Sequence, residues 1–229
     1  MSNQNTEEVS GFEGSHDAMG CVQRTVKRLF DIVFSLAGMI ILSPVYLVIA
    51  IMLKRQKNGP AIFSQERIGY RGKPFTIYKF RTMSEPEKEP QLVAKSSIGQ
   101  STKTELFLRE HHLDELPQLW NVLKGDMSFV GPRPEMIENV TAYTKQLPEF
   151  KYRLRVKAGL TGYAQVAGKY NTTPKDKLVM DIMYIENYSI LKDIQLIFQT
   201  VGGVLKPDST EAFDDSEKEK QLLFHPAEE

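Results

Sequence analysis

The longest unbroken pattern in the chain is apolar. From Ile32 to Leu53 (IVFSLAGMIILSPVYLVIAIML) no charged residue occurs. A run of about 18 such residues already suits a membrane-inserted helix, and a helix buried in a soluble core would keep a polar face. Ser43-Pro44 falls in its middle, where proline removes a helical hydrogen bond and forces a kink. Both ends are basic: Arg24, Lys27 and Arg28 precede the run, and Lys54, Arg55 and Lys57 follow it. A simple span would then have no preferred orientation, whereas a hairpin turning back at Ser43-Pro44 keeps both basic ends on one side. The pattern favours a re-entrant hairpin over residues 23–56, with a full span as its alternative.

Past this run the period changes. Pro60–Gly69 and Lys73–Met83 alternate as strands should, with a turn at Tyr70–Lys73. In the second strand Lys79 and Arg81 share one face, while Tyr78 and Phe80 take the other. Residues 84–100 are rich in proline and charge and read as a surface loop. Ser101–His112 reads as a helix with Leu106, Phe107 and Leu108 inward. Leu116, Leu119, Trp120 and Leu123 then recur at helical spacing, with Asp114 at the N-cap, Pro117 in the first turn and Gly125 at the end.

A short strand over Asp126–Val130 and a helix over Glu135–Leu147 follow. Arg153, Arg155 and Lys157 alternate in a strand-like run that leads into Gly159, Gly162 and Gly168. Three glycines so close together imply tight turns or close approach of backbone to a ligand. They form neither a dinucleotide fingerprint nor a phosphate loop. Lys175–Asn187 predicts a helix with Leu178, Ile182 and Ile185 on one face and Asp181 beside them. Ser189 caps a last helix to about Lys206, whose stripe of Leu191, Ile194, Ile197, Phe198, Val201 and Leu205 suits a core face or a membrane interface. The fold class is α+β: mostly helical with short β-hairpin segments, an N-terminal re-entrant membrane helix broken at Ser43-Pro44, and interfacial amphipathic helices.

Charge sharpens the layout. The chain has 29 basic and 29 acidic side chains; four acids lie in residues 1–20, and eight acids with two lysines lie in 207–229. The stretch between carries 27 basic and 17 acidic groups, a net of +10. Residues 1–22 and 207–229 are expected to be disordered tails around a basic body, whose partner should be an anion. Residues 1–20 lack the basic start and apolar run of a signal peptide. Cys21 is the single cysteine, which excludes a disulfide framework and a thiol metal cluster and suits a reducing compartment.

Asp114 and Glu115 are the candidate chemistry. Two adjacent carboxylates at the start of a helix are either an ordinary acidic first turn or an active pair. Gly131-Pro132-Arg133-Pro134 fixes an arginine between two prolines, so Arg133 can be held at little entropic cost.

The order KRLFD, the apolar run with its Ser-Pro, IFSQERIG, YKFRTM, LDELPQLWNVLKGDMSFVGPRP and AGLTGYAQVAGK resembles the bacterial polyprenyl-phosphate sugar-1-phosphate transferases, the monotopic phosphoglycosyl transferases, over about Lys27 to Lys206. It is similar to their small form, since no bundle of spanning helices precedes the motifs. The resemblance implies transfer of a sugar-1-phosphate from a UDP-sugar to undecaprenyl phosphate with release of UMP, at the start of membrane glycan synthesis such as O-antigen, capsule, exopolysaccharide or glycoprotein. It makes 57–206 a cytoplasmic catalytic domain, held by the hairpin at the bacterial inner membrane. Asp114 would be the nucleophile, forming a covalent phosphosugar, and Glu115 its partner, both near Mg²⁺. Lys79, Arg81, Arg109 and Arg133 would bind substrate phosphate. Gln165 and Asp181 fall in family motifs where nucleotide or metal contact is expected. A homodimer is compatible with all of this; a nucleic-acid partner would explain the basic body but not the apolar run.

The chain departs from the family pattern at Ala158, often proline, at His111-His112, read as surface residues rather than ligands, and at Lys169, often arginine. Two other functions use the same features: a membrane-anchored scaffold without chemistry, and a metal-dependent hydrolase of nucleotide sugars.

Overall fold

A computed structural model describes residues 18–56, 59–82, 102–168 and 173–204. The loop expected at 84–100, the tail at 207–229, most of the N-terminal tail, and Lys57, Met83, Lys169, Leu205 and Lys206 lie outside them.

The apolar run forms two helices, α1 (Cys21–Ile41) and α2 (Ser43–Arg55), bent by 60° at Leu42. Helix α1 begins inside the stretch read as tail. Pro44 sits in the first turn of α2, where its missing N–H costs nothing, and Ser43 Oγ donates to the Ile40 carbonyl at 2.8 Å. No single described helix is long and apolar enough to cross a membrane; the bent pair together reach that length and composition. Leu29, Val33, Phe34, Ile40, Ile41 and Leu47 stand open on it, an unusually apolar surface for a protein in water.

The alternating segments pair as expected. Strands β1 (Ile62–Ile68) and β2 (Pro74–Phe80) are antiparallel, with Phe63 opposite Lys79 and Ile68 opposite Pro74. The turn between them is a 3₁₀ turn at Tyr70–Gly72. Arg81 N still donates to Ala61 O at 2.9 Å, in register beyond the end of β2, but the Lys79 and Arg81 side chains find different partners: Lys79 bonds to Glu115, and Arg81 to the carbonyls of Pro60 and Leu53.

Helix α3 (Lys103–Glu110) opens on a reciprocal cap: Glu105 N donates to Thr102 Oγ1 at 3.3 Å, and Thr102 N donates to Glu105 Oε2 at 2.8 Å. Only Leu108 of its three expected inward residues is buried; Leu106 and Phe107 are exposed. A short helix presents one narrow face, and here Glu105 and Leu108 take it.

The stretch around Asp114 is not one capped helix. Leu113–Glu115 forms a separate 3₁₀ turn, and α4 (Gln118–Lys124) starts only after Pro117, which occupies the N-cap place expected of Asp114. Helix α4 buries Gln118, Leu119, Asn121 and Val122, so Trp120 is left 49 % exposed instead of inward. Gly125 ends it at φ 99°, with its N–H donating to the carbonyls of Asn121 and Val122. Arg28 of α1 closes the same end, donating to the carbonyls of Val122 at 2.7 Å and Leu123 at 2.6 Å.

Strand β3 (Met127–Val130) pairs in parallel with β4 (Ala158–Thr161), joined through α5 (Ile137–Gln146) and 3₁₀ turns over Pro148–Arg155. Arg153 and Arg155 therefore lie in turns, not in the strand-like run their alternation suggested. The close approach expected of the glycines is backbone on backbone. A Cβ on Gly159 would lie 2.1 Å from Gly131 N, and one on Gly162 would lie 2.2 Å from Gly131 O.

Helices α6 (Tyr163–Ala167), α7 (Pro174–Glu186) and α8 (Ile190–Val204) complete the chain. Leu178 and Ile185 of α7 are buried as predicted. Ser189 Oγ accepts from Lys192 N at 3.2 Å at the start of α8. The stripe of α8 divides: Ile197 packs on the core, while Leu191, Phe198 and Val201 face outward.

Among the described residues the core is split into four clusters rather than one. The cluster of Ile49, Leu53, Phe80 and Leu108 joins α2 to β2 and α3, and that of Ile77, Val122, Met127 and Ala158 joins both strand pairs to α4. Asp31 of α1 also accepts from Ser128 Oγ and Phe129 N, each at 3.0 Å. Helix α1 is thus bonded to β3, in the segment that follows the acidic pair.

Candidate active site

The acidic pair is placed by a chain reversal. His112 takes a left-handed conformation at φ 52°, uncommon outside glycine, between the end of α3 and the 3₁₀ turn. Glu115 N then donates to His112 O at 3.2 Å, and Leu116 O accepts from the hydroxyl of Tyr46 on α2. This ties the segment that carries the pair to α2.

Glu115 Oε1 accepts from Lys79 Nζ at 2.7 Å and from Arg133 NH2 at 2.8 Å. The three side chains are 12 %, 21 % and 31 % exposed, respectively. Burial pushes the Glu115 carboxyl upward, but Arg133 and Lys79 outweigh burial and hold it well below the ordinary carboxylate range. Asp114 responds oppositely. Burial and the neighbouring Glu115 charge raise it to about 6, only partly offset by Lys79 and Arg133. Its Oδ1 is buried and accepts no hydrogen bond. One carboxylate is therefore held firmly as an anion, while the other keeps an oxygen free of protein donors.

Lys79 is brought to this place by Asn121, fully buried on α4. Its Nδ2 donates to Thr76 O at 2.7 Å and its Oδ1 accepts from Tyr78 N at 3.2 Å, reproducing the bonds of a neighbouring strand. Asn121 is not among the residues that motif and spacing single out, although an asparagine within an apolar helix pattern is a visible signal. Arg28 on α1 and Tyr46 on α2, which bond to α4 and to Leu116, carry no comparable signal.

The other expected residues divide. Arg133 is in the cluster. Arg81 is buried elsewhere: it donates to Pro60 O at 2.7 Å and Leu53 O at 3.1 Å, and lies 3.8 Å from Glu105. It ties the end of α2 to β2 and α3. Arg109 stands on the last turn of α3, one turn ahead of the pair, and its carbonyl accepts from His112 N. Gln165 on α6 donates to Leu160 O at 3.1 Å, beside the Gly131–Gly162 contact. Asp181 is buried against Arg153 at 2.8 Å, with its carboxyl raised to about 6 by burial against the pull of Arg153. His112 is half-buried, and burial lowers its imidazole below the ordinary value.

Among the described residues no group of three or more His, Cys, Asp or Glu is arranged to hold a metal. Two carboxylates with one unengaged oxygen nonetheless fit Mg²⁺, which binds through one or two carboxylates and takes further ligands from substrate phosphates and water.

An acidic pair flanked by the cations Lys79 and Arg133, in a chain that also carries an exposed apolar bent helix pair, defines a site suited to phosphate groups. The chain belongs to the bacterial sugar transferase family, whose model matches residues 22–207. It is 38 % identical over 208 residues to the UDP-glucose:undecaprenyl-phosphate glucose-1-phosphate transferase of Klebsiella pneumoniae, covering 86 % of this chain and 44 % of that protein. It is 36 % identical over 184 residues to a UDP-N-acetylgalactosamine-undecaprenyl-phosphate N-acetylgalactosaminephosphotransferase of Aeromonas hydrophila, covering 79 % of this chain and 44 % of the relative. A UDP-glucose:undecaprenyl-phosphate glucose-1-phosphate transferase of Caulobacter vibrioides is 38 % identical over 190 residues, 80 % of this chain and 71 % of its own. The chain thus spans less than half the length of the first two.

Proposed function

We propose that this protein transfers a sugar-1-phosphate from a UDP-sugar to undecaprenyl or a related polyprenyl phosphate, releasing UMP. The observation that carries the reading is the division of labour within the pair: Glu115 is gripped by Lys79 and Arg133, while Asp114 Oδ1 faces no protein donor. Family membership and the names of the relatives support the substrate classes.

The ionised Asp114 attacks the phosphorus that bears the sugar. A P–O bond forms to the carboxylate, the bond to UMP breaks, and UMP leaves with the electron pair. An oxygen of the lipid phosphate then attacks the same phosphorus, the Asp114–P bond breaks, and the carboxylate is regenerated. Phosphoryl transfer of this kind depends on positioning and charge, which Lys79 and Arg133 supply. Glu115 keeps those two cations aligned. Mg²⁺, when held by Asp114 and Glu115, would neutralise diphosphate charge and favour departure of UMP.

In this reading α1 and α2 enter the cytoplasmic leaflet of the bacterial inner membrane as a re-entrant hairpin, with the outward face of α8 at the interface. Their exposed apolar side chains and the basic flanks support it. A hairpin also favours a lipid acceptor over water, since a hydrolase of soluble nucleotide sugars gains nothing from the bilayer.

Intact-mass measurement tests the covalent step. Incubation with a UDP-sugar but no lipid acceptor should add one phosphosugar to the wild type and none to Asp114→Asn. Equal labelling of both would remove Asp114 from the reaction. The sugar is open; UMP release across a panel of UDP-sugars would identify it.

A further inference from the structure

Arg133 lies between Pro132 and Pro134, which have no N–H, so its loop must be held mainly through its carbonyls. All four from 132 to 135 are taken. Pro132 O accepts from Gly159 N at 2.9 Å, Arg133 O from Arg153 NH2 at 2.9 Å, Pro134 O from Arg67 NH1 at 3.5 Å, and Glu135 O from Ile68 N at 3.1 Å. The bond to Arg133 itself comes from a side chain that no function yet explains. Arg153 is 4 % exposed, and its guanidinium is gripped by Asp181 at 2.8 Å and Glu135 at 3.6 Å, with its face over the Phe150 ring.

We infer that Asp181 and Arg153 form a positioning unit that sets the direction of Arg133, and through it the diphosphate-binding geometry beside Glu115. The inference rests on the proposed transfer reaction only for what Arg133 binds. Asp181 acts from behind the site: at 2 % exposure and ion-paired with Arg153, its carboxylate is closed off from a nucleotide in solution and acts on Arg153 through charge. Removing its charge leaves Glu135, at the longer distance of 3.6 Å, as the carboxylate that pulls on Arg153. The guanidinium is then free to shift toward Glu135, and the Arg133 carbonyl loses its fixed donor. Arg133 remains charged but is no longer aimed. A buried arginine suits this task because its rigid planar guanidinium presents NH2 to both the Asp181 carboxylate and the Arg133 carbonyl, and NH1 to Glu135, in one fixed geometry that a lysine cannot offer.

A double-mutant cycle tests this with the full chain purified in detergent or nanodiscs. Asp181→Asn should lower kcat/KM for UMP release about tenfold, as expected when an outer support lets a binding group drift. In an Arg133→Ala background the same substitution should lower kcat/KM no further, although it lowers the melting temperature equally in both backgrounds. The cycle is repeated on the affinity for UDP, read by calorimetry, which needs no turnover. Losses that multiply in both readouts would show a merely structural role and overturn the inference. A wild type that binds UDP with the predicted non-additivity yet releases no UMP would instead overturn the transfer reaction and leave the inference standing. If Asp181→Asn does not fold, Arg153→Lys, which keeps the charge but loses the fork, takes its place under the same criteria.

Discussion

Lys79 Nζ stands 2.7 Å from Glu115 Oε1, joining β2 to the 3₁₀ turn that carries Asp114. The contact neutralises Glu115 and, with Arg133, counters the effect of Glu115 on its neighbour.

Glu115→Gln should therefore act on Asp114. The adjacent negative charge that helps raise Asp114 disappears, while Lys79 and Arg133 lose their carboxylate and turn their field on the remaining one. The Asp114 titration should move from about 6 to a lower pH. Carbon-13 NMR of the Asp114 carboxyl would measure it, and a midpoint that stays put would contradict the electrostatic account. The substitution should also cost about 3 kcal/mol of stability, because two partly buried cations are left without their partner.

Asp114→Asn should stabilise the metal-free protein at high pH. The folded protein holds the Asp114 proton more tightly than the unfolded chain, whose ordinary value is 3.8. Its contribution is thus full below pH 3.8 and lost as pH rises through about 6. Asparagine imitates the protonated form at every pH. At pH 8 the variant should gain up to about 3 kcal/mol, two pKa units at about 1.4 each, and the gain should vanish near pH 4. Urea unfolding at both pH values checks this. Asp181, raised similarly, is common to both proteins and cancels.

Asn121→Leu keeps the volume of a buried side chain but removes the partners of Thr76 O and Tyr78 N. A loss of about 2–4 kcal/mol is expected for these two strand groups. UMP release should fall too, because Lys79 is set by the same strand. Unchanged stability would mean that water replaces the amide.

Topology is checked by labelling. In a Cys21→Ser background, Val22→Cys and Arg55→Cys should both react with an impermeant maleimide from the cytoplasmic side only. Reaction from opposite sides would establish a span in place of the hairpin.

The parts of the fold that were legible in the sequence are those set by local pattern. Alternation around the Gly69–Gly72 turn predicted β1 and β2, and Ser43-Pro44 predicted the break between α1 and α2. Asp114 was misplaced because the apolar positions from Leu116 to Leu123 fit one helical period, yet Pro117 restarts the helix and leaves the pair in its own turn. Trp120 was turned the wrong way because the edge of β2 needed hydrogen bonds, and Asn121 answered that need at the cost of the expected apolar face. The parallel pairing of β3 with β4 joins segments some thirty residues apart, which no local period encodes. Arg153 was invisible for the same reason: its partner Asp181 and its target Arg133 are distant in the chain.

Arg81 has one more consequence. By bonding to Leu53 O and Pro60 O, it fixes the exit of α2 against β2, as Tyr46 fixes the first turn of α2 against Leu116. With α1 and α2 lodged in a leaflet, as proposed, Asp114 would stand at a set height above the lipid tails. The protein would then work as a depth gauge. Bilayer thickness and headgroup size would govern how readily the lipid phosphate reaches the nucleophile, leaving capture of the water-soluble donor unchanged.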